Sequence, residues 1–369
     1  MIPISDLRKQ ITPLRAEIDA AIKKVIDNAN FILGSEVKEL ENELAAYCGA
    51  KYAIGVSNGT DAIRLALAAL GVMPGDGVIC PAFTYYATAG AVTSIGARPV
   101  FADIDPDTYT ISLASLEKAV KKSKKPKAII PVHLYGQCAD MDGVGKFARK
   151  YKLKIVEDTA QAFGAEYRGK KAGTIGDCGS VSFFPGKNLG AFGDAGGVLT
   201  NSTATAQRIR LLRNQGNKEK YFHSVLGYNH RLDTLQAAVL KVKLKYLDGW
   251  NKKRRENAEY FSQRLEDIAP IKTPFVPSYT THIYHQYVLR INTSSEKLIA
   301  HLRNKGIDAR VYYPVPLHLQ KCFKYLGYHR GDFPESEKAS KQTLAIPVYP
   351  DLAKEEMDYI AASIKEYLQ

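Results

Sequence analysis

Three short segments of the chain carry residues whose types and spacing could do chemistry. In IVEDTAQAFGA, residues 155–165, apolar residues lead into Glu157-Asp158, and Gln161 follows three positions later. A carboxylate at the C-terminal end of a parallel strand points into a ligand crevice. There it can keep a heterocyclic nitrogen protonated, because a nearby opposite charge favours the charged form. The same Asp158 could instead cap the helix that follows. In SVSFFPGKNLGAFGDAGGVLTN, residues 180–201, Ser182 and Lys187 flank an aromatic-Pro-Gly turn. An amine held in such a loop, with its pKa lowered, can attack a carbonyl and then act as a base. Ser182 can give a hydroxyl hydrogen bond to a phosphate. The alternative is a surface hairpin in which Gly and Lys are turn residues.

The third segment, VSNGTDAIRLAL, residues 56–67, passes from a strand through Asn58-Gly59-Thr60 into a helix starting near Asp61. Backbone N–H groups at a helix start, with Gly allowing close approach, cradle a phosphate. An ordinary capped helix start would look the same. Two further stretches add geometry. In PAFTYYATAGA, Tyr85 or Phe83 could stack on a flat ring, or each could be core. In GYNHRLDTLQAA, Asn229 could cap a helix or reach a phosphate, and Arg231 could clamp an anion or join a surface ion pair. One chemistry uses all these parts in this order. Pyridoxal phosphate needs a lysine amine, an acid at its ring nitrogen, a stacking aromatic and a phosphate cup.

Such residues need a scaffold that brings strand ends together. Short apolar runs at 52–56, 78–80, 99–102, 128–132 and 155–157 alternate with helical patterns at 61–70, 86–95, 113–121 and 141–150. That rhythm predicts βαβ units and a mostly parallel sheet. Further strands are expected at 180–184 and 197–200. A long helix is expected from Leu235 to Ile268, then a proline-bearing connection at 273–281. A smaller α+β domain follows, with a strand at 287–291, a helix at 295–305, a Tyr/Pro-rich loop at 312–316 and a last helix. The division expected is 1–245 for the larger domain and 246–369 for the smaller.

Composition narrows the class. The 45% hydrophobic and 24% charged fractions are those of a globular chain. No apolar run approaches the length of a membrane span, and the N-terminus has no signal-like stretch, so a cytoplasmic protein is expected. The five cysteines are scattered, without a CxxC pair, which argues against a disulfide framework or a zinc site; no metal is expected. The net charge of +13 comes from dispersed lysines without interleaved aromatics, so no nucleic-acid partner is expected.

The chain resembles the DegT/StrS-type sugar aminotransferases. The likeness runs from FILGSEVKELENELAAYCGAKYAIGVSNGTDAIRLAL through PVHLYGQCADMDG, EDTAQAFGA and SFFPGKNLGAFGDAGG to GYNHRLDTLQAA and YYPVPLHLQ. The resemblance implies a fold-type I pyridoxal-phosphate aminotransferase, α/β, with a mostly parallel central sheet flanked by helices and a smaller C-terminal α+β domain. It implies that Lys187 forms the Schiff base and shuttles the proton, and that Asp158 binds the pyridine nitrogen. Gln161 would lie by the phenolic oxygen and ring, and Tyr85 would stack on the ring. Gly59, Thr60 and Ser182 would hold the phosphate. Asn229 would reach the phosphate of the neighbouring subunit, making a homodimer with shared sites. Arg231, Tyr312 and Tyr313 would be substrate contacts, although many relatives have His at the position of Tyr312. The implied reaction is ping-pong, from glutamate through the cofactor to a nucleotide-linked keto-sugar. The Pro-Gly-Lys-Asn surroundings of Lys187 look like members that aminate carbon 3 of dTDP- or UDP-sugars. Relatives that dehydrate sugars typically carry His in place of the lysine. A dehydratase or lyase of the same fold, and a non-catalytic cofactor-binding regulator, are the competing readings.

Overall fold

The computed structural model describes residues 1–292 and 294–368. Seven strands form the main sheet: β1 (Tyr52–Val56), β2 (Gly77–Pro81), β3 (Arg98–Ala102), β4 (Pro126–Ile129), β5 (Lys154–Asp158), β6 (Cys178–Ser182) and β7 (Gly196–Thr200). Their order across the sheet is β1-β7-β6-β5-β4-β2-β3. Neighbours from β6 to β3 pair in parallel. Only β7 runs against its neighbours, pairing antiparallel with both β1 and β6. β2 and β7 are buried at every position. That is the pattern of strands covered by helices on both faces. The mostly parallel α/β sheet expected from the sequence is the one that forms.

Two strands sit earlier than their apolar runs suggest. The run at 128–132 belongs to β4, which ends at Ile129, and the run at 180–184 to β6, which ends at Ser182. Ile130 and Phe183 are fully buried beyond the last ladder positions, so apolar sequence outlasts the strand. The carboxyl ends of β5 and β6 therefore carry Asp158 and Ser182 as their final residues.

The edge strand β1 is protected by side chains. Gly55 N–H donates to Glu41 Oε1 at 2.9 Å, and Gly55 C=O accepts from Arg213 Nη1 at 2.6 Å. Glu41 and Arg213 are themselves paired and nearly buried. The pair stands in for a neighbouring strand and satisfies groups that would otherwise be open to pairing. One residue further on, the chain at 230–231 takes over that role. Ser57 N–H donates to His230 O at 3.1 Å, and Val56 bridges Arg231.

A second, antiparallel sheet joins β8 (Ile271–Lys272), β9 (Tyr287–Ile291) and β10 (Thr343–Ile346). Its core includes Phe261, Leu289, Leu298, Leu344 and Ile360. The start of the chain reaches this layer, since Ile2 pairs with Ile307. The long helix expected over 235–268 is two helices, Thr234–Leu244 and Leu247–Leu265, separated at Lys245-Tyr246. Lys243 of the first helix and Asn251 of the second both reach the loop that follows β6. The second helix then spans both layers, with Leu247 in the first core and Ala258 and Phe261 in the second. No helix among the described residues is long and apolar enough to cross a membrane.

Glu41→Ala should destabilise the fold by about 3–5 kcal/mol, because it leaves the Arg213 guanidinium buried and unpaired. Urea unfolding measures this. Glu41→Met combined with Arg213→Met should recover part of the loss, and a double variant no better than Glu41→Ala would sink the account.

Candidate active site

The two strand ends place a carboxylate and an amine together. Asp158 Oδ2 accepts from Thr88 Oγ1 at 2.8 Å, and Oδ1 from Ala160 N–H at 3.2 Å. Thr84 Oγ1 stands 3.1 Å from Thr88 Oγ1; because Thr88 spends its proton on Asp158, Thr84 is the donor. Burial pushes the Asp158 carboxyl above its ordinary value, opposed by the Thr88 and Ala160 donors and by the Lys187 charge. Burial lowers the Lys187 ammonium to about 8, and Asp158 opposes that shift. Each charge thus restrains the other's drift toward neutrality.

The neighbouring Glu157 cannot do the work of Asp158. It points to the other side of β5, where its carboxylate accepts from the N–H groups of Gly173, Ile175 and Gly176 at 2.9, 2.7 and 2.6 Å. His133 Nε2 lies 2.9 Å away. His133 Nδ1 accepts from Ala139 N–H at 3.1 Å, so the proton of this imidazole is on Nε2 and points at Glu157. Four donors fill the carboxylate, whereas Asp158 accepts two hydrogen bonds from the chain and keeps acceptor capacity for a ligand.

Gly59 and Thr60 open the helix Gly59–Ala69, two residues before the start expected near Asp61. Asn58 caps it by accepting from Asp61 N–H at 2.8 Å. Its first N–H groups have no intrahelical partner and make an anion site. Ser182 faces that turn: a Cβ on Gly59 would lie 2.6 Å from Ser182 Cβ, so only glycine allows the approach. Tyr85 stands before the next helix with 57% of its surface exposed and its ring 5.8 Å from that of Tyr313. Phe83 is fully buried, which leaves Tyr85 as the aromatic with a free face. Gln161 Oε1 accepts from Tyr135 N–H and its Nε2 donates to Tyr313 Oη, each at 2.8 Å. Tyr312 contributes its carbonyl, which accepts from Tyr135 Oη. Asp158 and Lys187 thus act on each other's charge, Gln161 bonds Tyr313, Tyr313 packs near Tyr85, and Ser182 meets the Gly59-Thr60 turn.

Asn229 and Arg231 lie beside the residues that lead into the Gly59 helix. They line a cavity of about 390 Å³ with Ser57, Asn58, Asp194 and Gln236. Arg231 Nη1 donates to Asn214 Oδ1 at 3.1 Å, and Arg231 forms no ion pair among the described residues.

The parts fit pyridoxal phosphate: an acid with spare acceptor capacity, an amine of lowered pKa, a free aromatic face and a helix N-terminus beside a hydroxyl. Residues 13–365 match the DegT/DnrJ/EryC1/StrS aminotransferase family. The chain belongs to this family. It is 47% identical to the pleiotropic regulatory protein of Geobacillus stearothermophilus, over 99% of this chain and 98% of that one. It is 42% identical to the UDP-N-acetyl-3-dehydro-α-D-glucosamine 3-aminotransferase of Acidithiobacillus ferrooxidans, over 100% and 98% of the two chains. The structure of S. venezuelae DesV in complex with a ketimine intermediate superposes with a TM-score of 0.97 at 40% identity, covering 100% of this chain and 98% of that one. The architecture is thus the fold-type I aminotransferase fold.

Several residues of this aminotransferase that shape the site gave no signal in the sequence. Thr88 is one; it lies on the helix Tyr86–Ser94, and Thr84 stands just before that helix. Lys243 is another. Only 2% exposed, it bonds through Nζ to Gly190 O in the Lys187 loop, and burial lowers its pKa to about 8. Nothing in AAVLKVKLKYL separates it from Lys241, which pairs with Glu39 at the surface.

Thr88→Val keeps the side-chain volume and removes a donor from Asp158. The apo-protein should lose about 1.5–3 kcal/mol at neutral pH, the usual worth of a hydrogen bond to a charged group. The native carboxyl pKa lies above its unfolded value, so the native state holds more protons between the two and the ionised form opposes folding. The loss should therefore shrink as the pH falls through the raised native pKa. Urea unfolding at neutral and mildly acidic pH compares the two, and equal losses would refute the role given to Thr88.

Proposed function

We propose that this aminotransferase works with pyridoxal phosphate in the cytoplasm. It takes an amino group from glutamate and delivers it to carbon 3 of a UDP- or dTDP-linked keto-sugar. The observation that carries the reading is the meeting of Asp158 and Lys187 in one crevice, with an unfilled carboxylate and an amine of lowered pKa. When bound, the cofactor supplies a ring that accepts the electrons left as a proton departs from the amino-bearing carbon. Asp158 keeps the proton on the ring nitrogen. Lys187 would hold the cofactor through Nζ and, when its amine is free, would carry the proton between carbon atoms. The N–H groups of Gly59 and Thr60, with Ser182 Oγ, bind the phosphate. Tyr85 covers the ring face, and Gln161 orients the ring edge while holding Tyr313. Arg231, Tyr312 and Tyr313 bind the sugar nucleotide.

Asn229 is exposed and lines an open cavity with Ser57 and Asn58. That placement supports its delivery to the phosphate of a second copy, in a homodimer with shared sites. The name of the Acidithiobacillus relative supports amination at carbon 3. The name of the Geobacillus relative favours a second reading, a regulator that binds the cofactor without turnover. Glutamate separates the two. The holoenzyme's visible absorbance should shift to shorter wavelength with glutamate and return with 2-oxoglutarate or the keto-sugar. Lys187→Ala should lower turnover on the order of 10²–10⁴-fold, the range for a general acid–base group. A holoenzyme that ignores glutamate would favour the regulator.

The lowered pKa of Lys187 sets a pH dependence. Only the neutral amine attacks a carbonyl, so capture of pyridoxal phosphate by the apo-protein should accelerate as the pH rises through about 8. A rate still climbing steeply in the ordinary lysine range, near pH ~10.4, would remove burial as the activating cause.

A further inference from the structure

His285 stands in the segment that leads into β9, and that segment is tied to the site on two sides. Toward Gln161, Ile283 N–H donates to Gly136 O at 2.9 Å and Gln286 N–H to Tyr135 O at 3.2 Å. Tyr135 N–H is in turn bonded to Gln161. Gly136, at φ +116°, would put a Cβ 2.9 Å from the backbone nitrogens of Tyr284 and His285, so a side chain there would push the segment away. Toward Lys187, Ile283 O accepts from Asn188 Nδ2 at 3.4 Å, and His285 Nδ1 lies 3.1 Å from Asn188 Oδ1. Asn188 follows Lys187 directly and is only 4% exposed.

The protons of this network can be placed. Asn251 Nδ2 donates to Phe163 O, which leaves Asn251 Oδ1 to accept from Asn188 Nδ2 at 2.8 Å. The Asn188 amide nitrogen is thus committed to Asn251 Oδ1 and Ile283 O. Its Oδ1 can only accept, so His285 Nδ1 must carry the proton. Burial, with the positive charges of Lys187 and Arg254, holds the imidazole well below its ordinary pKa. His285 is therefore neutral, with its single proton already given to Asn188. Nε2 is a bare and weakly basic acceptor, which leaves proton transfer to Lys187.

We propose that His285 is a positioning residue for Lys187: its Nδ1–H fixes Asn188, and with it the backbone from which the Lys187 side chain reaches its carbonyl partner. A lysine side chain has four rotatable bonds, so the amine is placed only if its root is. Asn188 is the first residue after that root, and three of its hydrogen-bond positions are held by Asn251, Ile283 and His285. Two of these, from Ile283 and His285, join the Lys187 loop to the segment gripping Gln161, and the His285 bond is the shorter and the one made by a side chain. The proposal rests on the reading of Lys187 as the cofactor-bearing amine.

Two polar replacements test it. His285→Asn places an amide N–H near the position of Nδ1. His285→Gln carries it one bond farther, near Nε2. Full-length apo-protein is mixed with pyridoxal 5'-phosphate, quenched with borohydride at intervals, and the Lys187 peptide is quantified by mass. His285→Asn should label within about twofold of the unaltered protein, and His285→Gln about five- to tenfold more slowly, the worth of one buried hydrogen bond. Both should unfold at similar urea concentration. Equal rates for the two variants, or a slowing that only follows lost stability, would overturn the proposal. Failure of the unaltered protein to label at Lys187 would instead overturn the reading beneath it, and Lys187→Ala supplies the blank for that peptide.

Discussion

Two opposite charges lie close together with limited access to water, and most of the site's construction follows from that constraint. Burial alone would drive the Asp158 carboxyl toward its protonated form and the Lys187 ammonium toward the free amine. A site that needs an ionised acid and a ready amine must let the two shifts go to different extents. The acid is held back by donors: Thr88 Oγ1, the Ala160 N–H and the Lys187 charge all favour the carboxylate. The amine is opposed only by Asp158, so its pKa falls to about 8. The asymmetry lies in the hydrogen bonds, since both groups lie in the same crevice.

That arrangement asks for rigid roots. The Lys187 loop is bound at both ends and from both layers of the molecule. Phe183 N–H donates to Ala195 O, and Lys187 N–H to Phe184 O, each at 2.8 Å. Lys243 holds Gly190 from one helix, and Asn251 holds Asn188 from the next. The two contacts come from either side of the break at Lys245-Tyr246, so two helices that the sequence pattern runs together both grip this loop.

Legibility followed the range of the interactions. β5, the helix at 59–69 and β9 are set by local apolar runs and caps, and each was readable within a residue or two. Asp158, Gly59 and Ser182 stand where the sequence pattern put them, at a strand end or a helix start, and Lys187 stands in the loop after β6. Residue types and spacing left Tyr85 and Phe83 open and only the resemblance chose Tyr85, because exposure of an aromatic is set by packing that the local sequence does not carry. Lys243 was invisible for the same reason: its partner is a carbonyl 53 residues distant. Apolar pattern also overran the ends of β4 and β6, since Ile130 and Phe183 stay in the core after their strands have stopped.

The adjacent acids Glu157 and Asp158 show how the sheet protects the chemistry. Successive residues of a strand face opposite ways, so a slip of one residue in β5 would exchange them. The register is held in parallel with β6, where Asp158 stands beside Ser180 and Glu157 beside Gly179. Glu157 adds a lock of its own. Three backbone N–H groups of the 173–176 turn and the His133 imidazole converge on it in a fully buried pocket. Turning Glu157 into the crevice would leave four buried donors unpaired, each costing about 1–3 kcal/mol. Asp158, one atom shorter and with two bonds from the chain, could not reach and satisfy them in its place. Glu157, locked by these four donors, thus fixes which way Asp158 points.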